Sequence, residues 1–144
     1  MKYSDLLQLY FERSNALQNY WTLYVVIVGG LLAFSSLRKL PAALTTLIVS
    51  VLFGLFAYEN LDAIQQTSVV RYRTLDALKQ SDASAPEVKA VRDLLEPVLT
   101  PASLSSVRTT HLVSDILTIA ALWAMELRRR KNALVAAVVS QPFP

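Results

Sequence analysis

Apolar residues in this chain are concentrated in three runs that are separated by polar stretches. Residues 21–37 form a run of 17 without a charge, and residues 41–58 form a second uncharged run of 18. A helix needs about 20 mostly apolar residues to cross a bilayer, and roughly 17 is the shortest span. The third run, 111–127, contains Asp115 near its start and Glu126 near its end, with no charge between them. The pattern therefore predicts three transmembrane helices.

The stretches outside these runs have the spacing of amphipathic helices. Residues 1–20 place apolar side chains at helical intervals and lead into the first transmembrane helix. No Gly or Pro separates the second run from the segment that follows it, so we expect one helix from about residue 41 to 80, with Pro41 in its first turn. One face of its second half is predicted to be apolar or small, with Leu61, Ile64, Ser68, Tyr72, Leu75 and Leu78.

These elements predict an all-α integral membrane protein whose three transmembrane helices extend outward into a small extracytoplasmic helical bundle. Residues 59–110 contribute most of that bundle, with a turn at Ser81–Pro86 and a short helix that Pro86 begins. The N-terminal amphipathic helix contributes the rest. In the alternative arrangement, residues 3–17 lie flat in the headgroup layer, with Tyr and Phe side chains inserted.

The distribution of basic residues predicts the orientation. Arg38 and Lys39 lie in the turn between the first two runs, and residues 128–131 are all basic. Short loops rich in Lys and Arg stay in the cytoplasm, and with three spans these two flanks lie on the same side. We therefore expect an inner or plasma membrane protein with its N-terminus outside and residues 128–144 as a basic, then apolar, cytoplasmic tail. The net charge of +3 is then a sign of topology rather than of nucleic-acid binding.

The basic flanks and one aromatic group are predicted to contact lipid headgroups. Anionic headgroups on the cytoplasmic side are the expected partners of the basic residues. Glu126 is expected to form a helix-end pair with Arg129 and Arg130, at spacings of three and four residues. The predicted headgroup anchors are Arg38, Lys39, Arg128, Arg129, Arg130, Lys131, Tyr20, Trp21 and Tyr24.

Small residues recur at helical spacing in the first two runs. Gly29 and Ala33 are four residues apart, and so are Ser50 and Gly54, with Ala57 three positions further on. Small residues allow helices to approach closely in lipid. They are expected to pack the first two spans as an antiparallel hairpin. In the sharper interpretation, a second small-residue face joins subunits of an oligomer.

His111 and Asp115 are four residues apart and therefore share one face of the third helix. An ionisable residue within a span is costly and is often functional. One hypothesis is a proton or cation relay of His111, Asp115 and Glu59. The alternative is an interfacial Asp115 whose charge is satisfied by His111, by Arg108 or by water.

Composition excludes most chemical sites. The chain has no cysteine and one histidine. Its three glycines all lie within the apolar runs. Disulfides, thiolate metal sites and glycine-rich phosphate loops are therefore absent from the sequence. No metal site, cofactor or catalytic residue is predicted, and we expect a protein that is not an enzyme.

Three functions are consistent with this pattern. The first is a self-associating or accessory subunit of a membrane complex, acting through protein–protein contacts. The second is a pore-forming or membrane-permeabilising oligomer, because three spans with an external N-terminus and a basic internal C-terminus resemble the topology of one class of phage holins. The third is a small proton or cation carrier that uses the Glu59, His111 and Asp115 group.

Overall fold

The computed structural model describes residues 2–81 and 85–139, and the structure in these ranges is helical with no strand. Helix α1 is Tyr3–Leu37, α2 is Ala43–Gln80 and α4 is Leu104–Val139. Between α2 and α4 lie the short helix α3, Pro86–Leu95, and a 3-10 turn, Glu96–Val98. The prediction of an all-α protein is confirmed for the described part of the chain.

Three of the helices are long and apolar enough to cross a membrane, namely α1, α2 and α4. They contain 35, 38 and 36 residues, and at 1.5 Å per residue each is roughly 55 Å long. This length is well above the hydrocarbon thickness of about 30 Å. Each predicted span is therefore one part of a longer continuous helix. This agrees with the helical spacing predicted for the polar stretches that adjoin the spans along the chain.

The helix ends agree with most of the predicted boundaries. Pro86 is the first residue of α3, as predicted, but the prediction that Pro41 lies in the first turn of α2 is wrong. The amide of Ala42 is bonded to a side-chain carboxylate, and the carbonyl of Ala42 accepts the first helical hydrogen bond, from Thr46. Helix α2 therefore begins at Ala43, and Pro41 precedes the helix.

The predicted turn before α3 and the C-terminal tail are only partly within the described residues. The predicted turn at Ser81–Pro86 includes residues 82–84, which lie outside them, and so do residues 140–144 of the tail. The apolar tail residues 133–139 continue α4 as helix. Their large side chains, such as Leu134 and Val138, are exposed.

The chain divides into two compact units, and unit 1 comprises Met1–Thr22 and Asn60–Thr110. Its buried core joins the start of α1, the end of α2 and the segment after α3, through Leu6, Tyr10, Leu75, Leu78 and Leu99. The predicted apolar face of α2 is confirmed, since Ile64 and Leu78 are fully buried. The N-terminal part of α1 packs into this core through Leu6 and Tyr10.

Polar contacts complete unit 1. The hydroxyl of Tyr72 donates to the carbonyl of Ala102 at 2.6 Å, and the guanidinium of Arg71 lies 5.4 Å from the centre of the Tyr10 ring. Burial raises the pKa of the Tyr3 hydroxyl, and the nearby charge of Glu96 adds to this effect. Along the 86–98 segment, the apolar side chains are only partly covered, since Val91 is 43% and Val98 is 72% exposed.

Unit 2 comprises Leu23–Glu59 and His111–Pro144, and polar residues make up much of its interior. Its buried apolar side chains are Tyr24, Phe53, Ala57 and Leu122, and its buried polar or charged ones are Ser35, Thr46, Ser50, His111, Thr118, Glu126 and Arg129. The outer surface is apolar, with large exposed side chains that include Leu23, Val26, Leu52, Leu55, Ile116 and Leu117. Polar groups inside and apolar groups outside form the arrangement that suits a lipid environment, where buried polar groups must find partners within the protein.

Candidate functional site

Tyr24, His111 and Asp115 form a hydrogen-bonded group in unit 2, which we call the polar cluster. The Tyr24 hydroxyl donates to Oδ1 of Asp115 at 2.8 Å. The other oxygen, Oδ2, lies 2.9 Å from Nδ1 of His111. The predicted contact between His111 and Asp115 is thus confirmed. The third member, Tyr24, was not predicted, because it lies 91 residues from Asp115 along the chain.

The polar cluster is enclosed by side chains. His111 has no exposed surface, and Tyr24 is 4% exposed. The ring centroids of Tyr24 and His111 lie 4.4 Å apart, and the ring centroid of Phe53 lies 6.3 Å from that of Tyr24. Phenol, carboxylate and imidazole groups can each accept or release a proton. The cluster is therefore chemically suited to hold or pass a proton.

Glu59, the third member of the hypothetical relay, is exposed. Within residues 2–81 and 85–139, no group of three or more His, Cys, Asp or Glu side chains is arranged to hold a metal ion. The pair of His111 and Asp115 alone makes a poor metal site, since structural and catalytic metals usually take three or four protein ligands.

A second group of polar side chains surrounds Glu126, and we call it the charge cluster. The Glu126 side chain has no exposed surface. Its Oε1 accepts the backbone N–H of Ala42 at 2.9 Å and a guanidinium N–H of Arg130 at 3.2 Å. Its Oε2 accepts from Arg129 at 3.2 Å and from the Thr46 hydroxyl at 3.3 Å. The buried carboxylate therefore has both oxygens satisfied.

The charge cluster connects three helices. Arg129 on α4 also donates to the carbonyl of Ser35 on α1 at 2.7 Å. Arg38, after α1, lies 3.8 Å from Glu126 and donates to the Ala42 carbonyl at 3.1 Å. The helix-end pairs of Glu126 with Arg129 and Arg130 are confirmed. The contacts to the α1–α2 turn were not predicted. One feature of the sequence could have indicated these contacts. Glu126 is a lone acidic residue at the end of the third apolar run, and the predicted three-span topology places that end on the same side as the turn with Arg38 and Lys39.

Beside the charge cluster lies a cavity of about 410 Å³. Four cationic side chains line it, and we call it the basic groove: Arg38, Lys39, Arg128 and Arg129, with Ser36, Met125 and Asn132 completing the wall. Residues 35–42 and 125–132 together contain six basic residues and one acidic residue. Four of the six predicted basic anchors thus line one groove, whereas Arg130 and Lys131 are exposed and do not line it.

The predicted aromatic anchors differ in burial. Tyr20 and Trp21 are half-buried, whereas Tyr24 is buried and donates its hydroxyl to Asp115. An aromatic residue at the headgroup level normally keeps its polar end in water. The structure therefore gives Tyr24 an internal polar partner in place of a headgroup.

The small residues of the first two helices also differ. Ser50 and Ala57 of α2 are buried, and Gly54 between them is half-buried. Gly29 and Ala33 of α1 are exposed, and a Cβ added to Gly29 would meet no atom within 4 Å. Ser50 and Ala57 therefore lie in the interior of the unit, whereas a Cβ added to Gly54, like one added to Gly29, would meet no atom within 4 Å.

Comparison of the chain with protein-family models, with curated proteins and with solved structures finds no match. The geometry of the clusters and the exposed faces is therefore the basis for a function.

Proposed function

We propose that this protein crosses a membrane three times and acts as a non-enzymatic, self-associating subunit of a membrane complex. In this proposal the N-terminus and unit 1 lie outside and residues 128–139 lie inside. The observation that carries the proposal is the outward placement of Gly29 and Ala33 on an apolar helix, with open space above the glycine. A second helix can approach such a surface closely.

The two small-residue faces support a division of roles. Ser50 and Ala57 are covered by the chain's own side chains, so α2 uses its small residues for internal packing. Gly29 and Ala33 have no such cover. Helix association in lipid depends on close van der Waals packing rather than on the hydrophobic effect. An uncovered small-residue face within an apolar helix is therefore well suited to a second copy of the same helix.

The proposal is tested by native mass spectrometry of the full chain, extracted from its own membrane in a mild detergent. Wild-type protein is expected to give multiples of the chain's mass. Gly29→Leu is expected to shift the distribution to the monomer, because the larger side chain prevents close approach. Gly54→Leu is the matched control, since a Cβ at Gly54 also meets no atom within 4 Å but Gly54 lies half-buried on α2 rather than exposed on the α1 face. It is expected to keep the wild-type distribution.

The other outcomes decide between the remaining functions. Co-purifying foreign masses, without multiples of the chain, would make the protein an accessory subunit of a larger complex. A monomer without partners would contradict the proposal. Multiples that persist in Gly29→Leu would remove the α1 face as the contact. A dye-leakage assay on liposomes, run with the same samples, detects the pore-forming alternative.

The polar cluster favours a second candidate function, a proton carrier. Its three proton-exchanging groups are bonded in series, at 2.8 Å and 2.9 Å, inside a region with an apolar outer surface. An ionisable residue within a membrane span is a functional candidate by default, because its burial costs free energy. In this function, Asp115 passes a proton between Tyr24 and His111.

Proton flux into liposomes that contain a pH-sensitive dye tests the carrier function. Asp115→Asn is expected to abolish the flux, and Tyr24→Phe to reduce it. Glu59→Gln is the control, because Glu59 is exposed whereas the polar cluster is enclosed by side chains. Unchanged flux in Asp115→Asn removes the carrier function.

A further inference from the structure

The cations of the basic groove fall into two classes. Arg129 uses its guanidinium to bond Glu126 and Ser35, and Arg38 uses its own to bond Thr46 and the Ala42 carbonyl. These two arginines are held in place by the protein. Lys39 and Arg128 are exposed and make no hydrogen bond or ion pair with the described residues.

The positive charges of Lys39 and Arg128 therefore have no anionic partner among the described residues, and both side chains line the basic groove. The carboxylate of Glu126, the one acidic group nearby, is already bonded to Arg129 and Arg130 and lies near Arg38. It cannot also neutralise Lys39 and Arg128. Ser36 and Asn132 add uncharged hydrogen-bonding groups to the same wall. The groove therefore combines two fixed cations, two unpaired cations and neutral hydrogen-bonding side chains around about 410 Å³.

We propose that the basic groove binds a phosphate group. Lys39 and Arg128 contact the phosphate oxygens directly, and the held guanidiniums of Arg38 and Arg129 supply a fixed positive field. Arginine and lysine are the residues that proteins use most for phosphate, arginine by paired hydrogen bonds and lysine as a point charge. Because Arg38 and Arg129 are already in position, they contribute their charge without a further loss of side-chain conformational entropy.

The phosphate has two sources with the same chemistry, an anionic phospholipid and a soluble phosphate. The surroundings favour the lipid. Leu37 and Leu40 on either side of Arg38 and Lys39 are about 80% exposed, and Leu127 next to Arg128 is 60% exposed. These apolar side chains offer surface to acyl chains beside the phosphate. The inference does not depend on self-association and applies equally to a monomer.

The experiment titrates the full-length protein in detergent with phosphatidylglycerol and measures bound lipid by native mass spectrometry. Wild-type protein is expected to retain one phosphatidylglycerol in preference to phosphatidylcholine. Arg128→Gln and Lys39→Gln are each expected to weaken this binding about fivefold, the effect of one basic residue near an anionic surface. The double variant is expected to weaken it roughly 25-fold if the two contacts are independent.

Lys131→Gln is the matched control, because it removes the same charge from the same end of α4 but does not line the groove. It is expected to weaken binding less than Arg128→Gln does. Both positions are exposed, and a thermal melt checks that each variant folds as the wild type does. Equal losses in the two variants, or equal retention of the two lipids, overturn the specific site.

Inorganic phosphate distinguishes the two sources. If millimolar phosphate displaces the lipid and its effect is lost in the double variant, the groove is a site for soluble phosphate. If phosphatidylglycerol remains bound, the groove is a lipid site. If the protein retains neither ligand, the proposal is wrong. The oligomer distribution in the same spectra reports on self-association separately, so a failure of one proposal leaves the other measurable.

Discussion

The carboxylate of Glu126 accepts the backbone N–H of Ala42 at 2.9 Å, and this contact joins α4 to the start of α2. The amide of Ala42 precedes the first hydrogen-bonded turn of α2, so no helical carbonyl is available to it. Negative charge near a helix N-terminus is also favourable. One acidic side chain therefore satisfies the start of α2 and organises the arginines around it, which makes the charge cluster the main polar link of unit 2.

Arg129→Lys is expected to destabilise unit 2 by about 2 kcal/mol, the size of a buried hydrogen bond to a charged group. The planar guanidinium of Arg129 bonds Ser35 and Glu126 at once, and a lysine ammonium cannot reproduce that fork. Arg130→Lys is the control, because the Arg130 side chain is 48% exposed and, among residues 2–81 and 85–139, bonds only Glu126. It should cost less than about 0.5 kcal/mol. Thermal or denaturant unfolding in detergent measures both. Equal costs would contradict the structural role of Arg129.

Tyr24→Phe is expected to destabilise the protein by about 1 kcal/mol, because it removes one buried hydrogen bond and leaves an Asp115 oxygen without its donor. The aromatic contacts with Phe53 and His111 are retained in the variant. Tyr58→Phe makes the same change at a side chain that is 71% exposed, and it should leave the melting temperature unchanged. If Tyr24 instead contacts only headgroups or water, the two variants will behave alike.

Leu78→Ala tests the core of unit 1. Leu78 has no exposed surface and lies in the cluster with Leu6 and Tyr10. Its truncation is expected to cost between about 2 and 5 kcal/mol, through lost apolar burial and the cavity that remains. Leu94→Ala is the control, since Leu94 is 74% exposed and its loss should change stability by less than about 0.5 kcal/mol. Similar melting of the two variants would indicate that residues 3–17 lie on a membrane instead of in this core.

The orientation is tested by single cysteines, which are simple to interpret because the natural chain has none. Asp76→Cys in unit 1 is expected to react with a membrane-impermeant maleimide on intact cells. Asn132→Cys, beyond the basic run, is expected to react only after permeabilisation. Both positions are exposed, so their reactivity should report membrane side rather than burial. The reverse pattern would invert the proposed topology.

Much of the fold was predictable because helix formation and apolar length are local properties. The first and third apolar runs lie within α1 and α4, and all but the first two residues of the second run lie within α2. The unbroken pattern after residue 58 predicted the long continuation of α2. The apolar spacing of residues 61–79 also identified the buried face that contains Ile64 and Leu78. The start of α2 was misplaced by two residues, because a contact with the distant Glu126 determines it.

The candidate sites were predictable only where their members are close in the chain. His111 and Asp115 share a helical face by their spacing of four, and their contact is confirmed. Tyr24 was assigned to the headgroup region, because aromatic residues at the edge of an apolar run are typical of that location. Its 4% exposure and its bond to Asp115 depend on how α1 and α4 pack in unit 2.

The helices and the candidate spans could be inferred from the residues alone, since both follow from backbone hydrogen bonding and from runs of apolar side chains. Which polar residues are buried, and which cations are already paired, depends on how the helices pack. Burial and pairing depend on distances between helices, such as the 2.7 Å between Arg129 and the Ser35 carbonyl, 94 residues apart. The same packing left Lys39 and Arg128 unpaired beside Arg129, and that difference defines the proposed phosphate site.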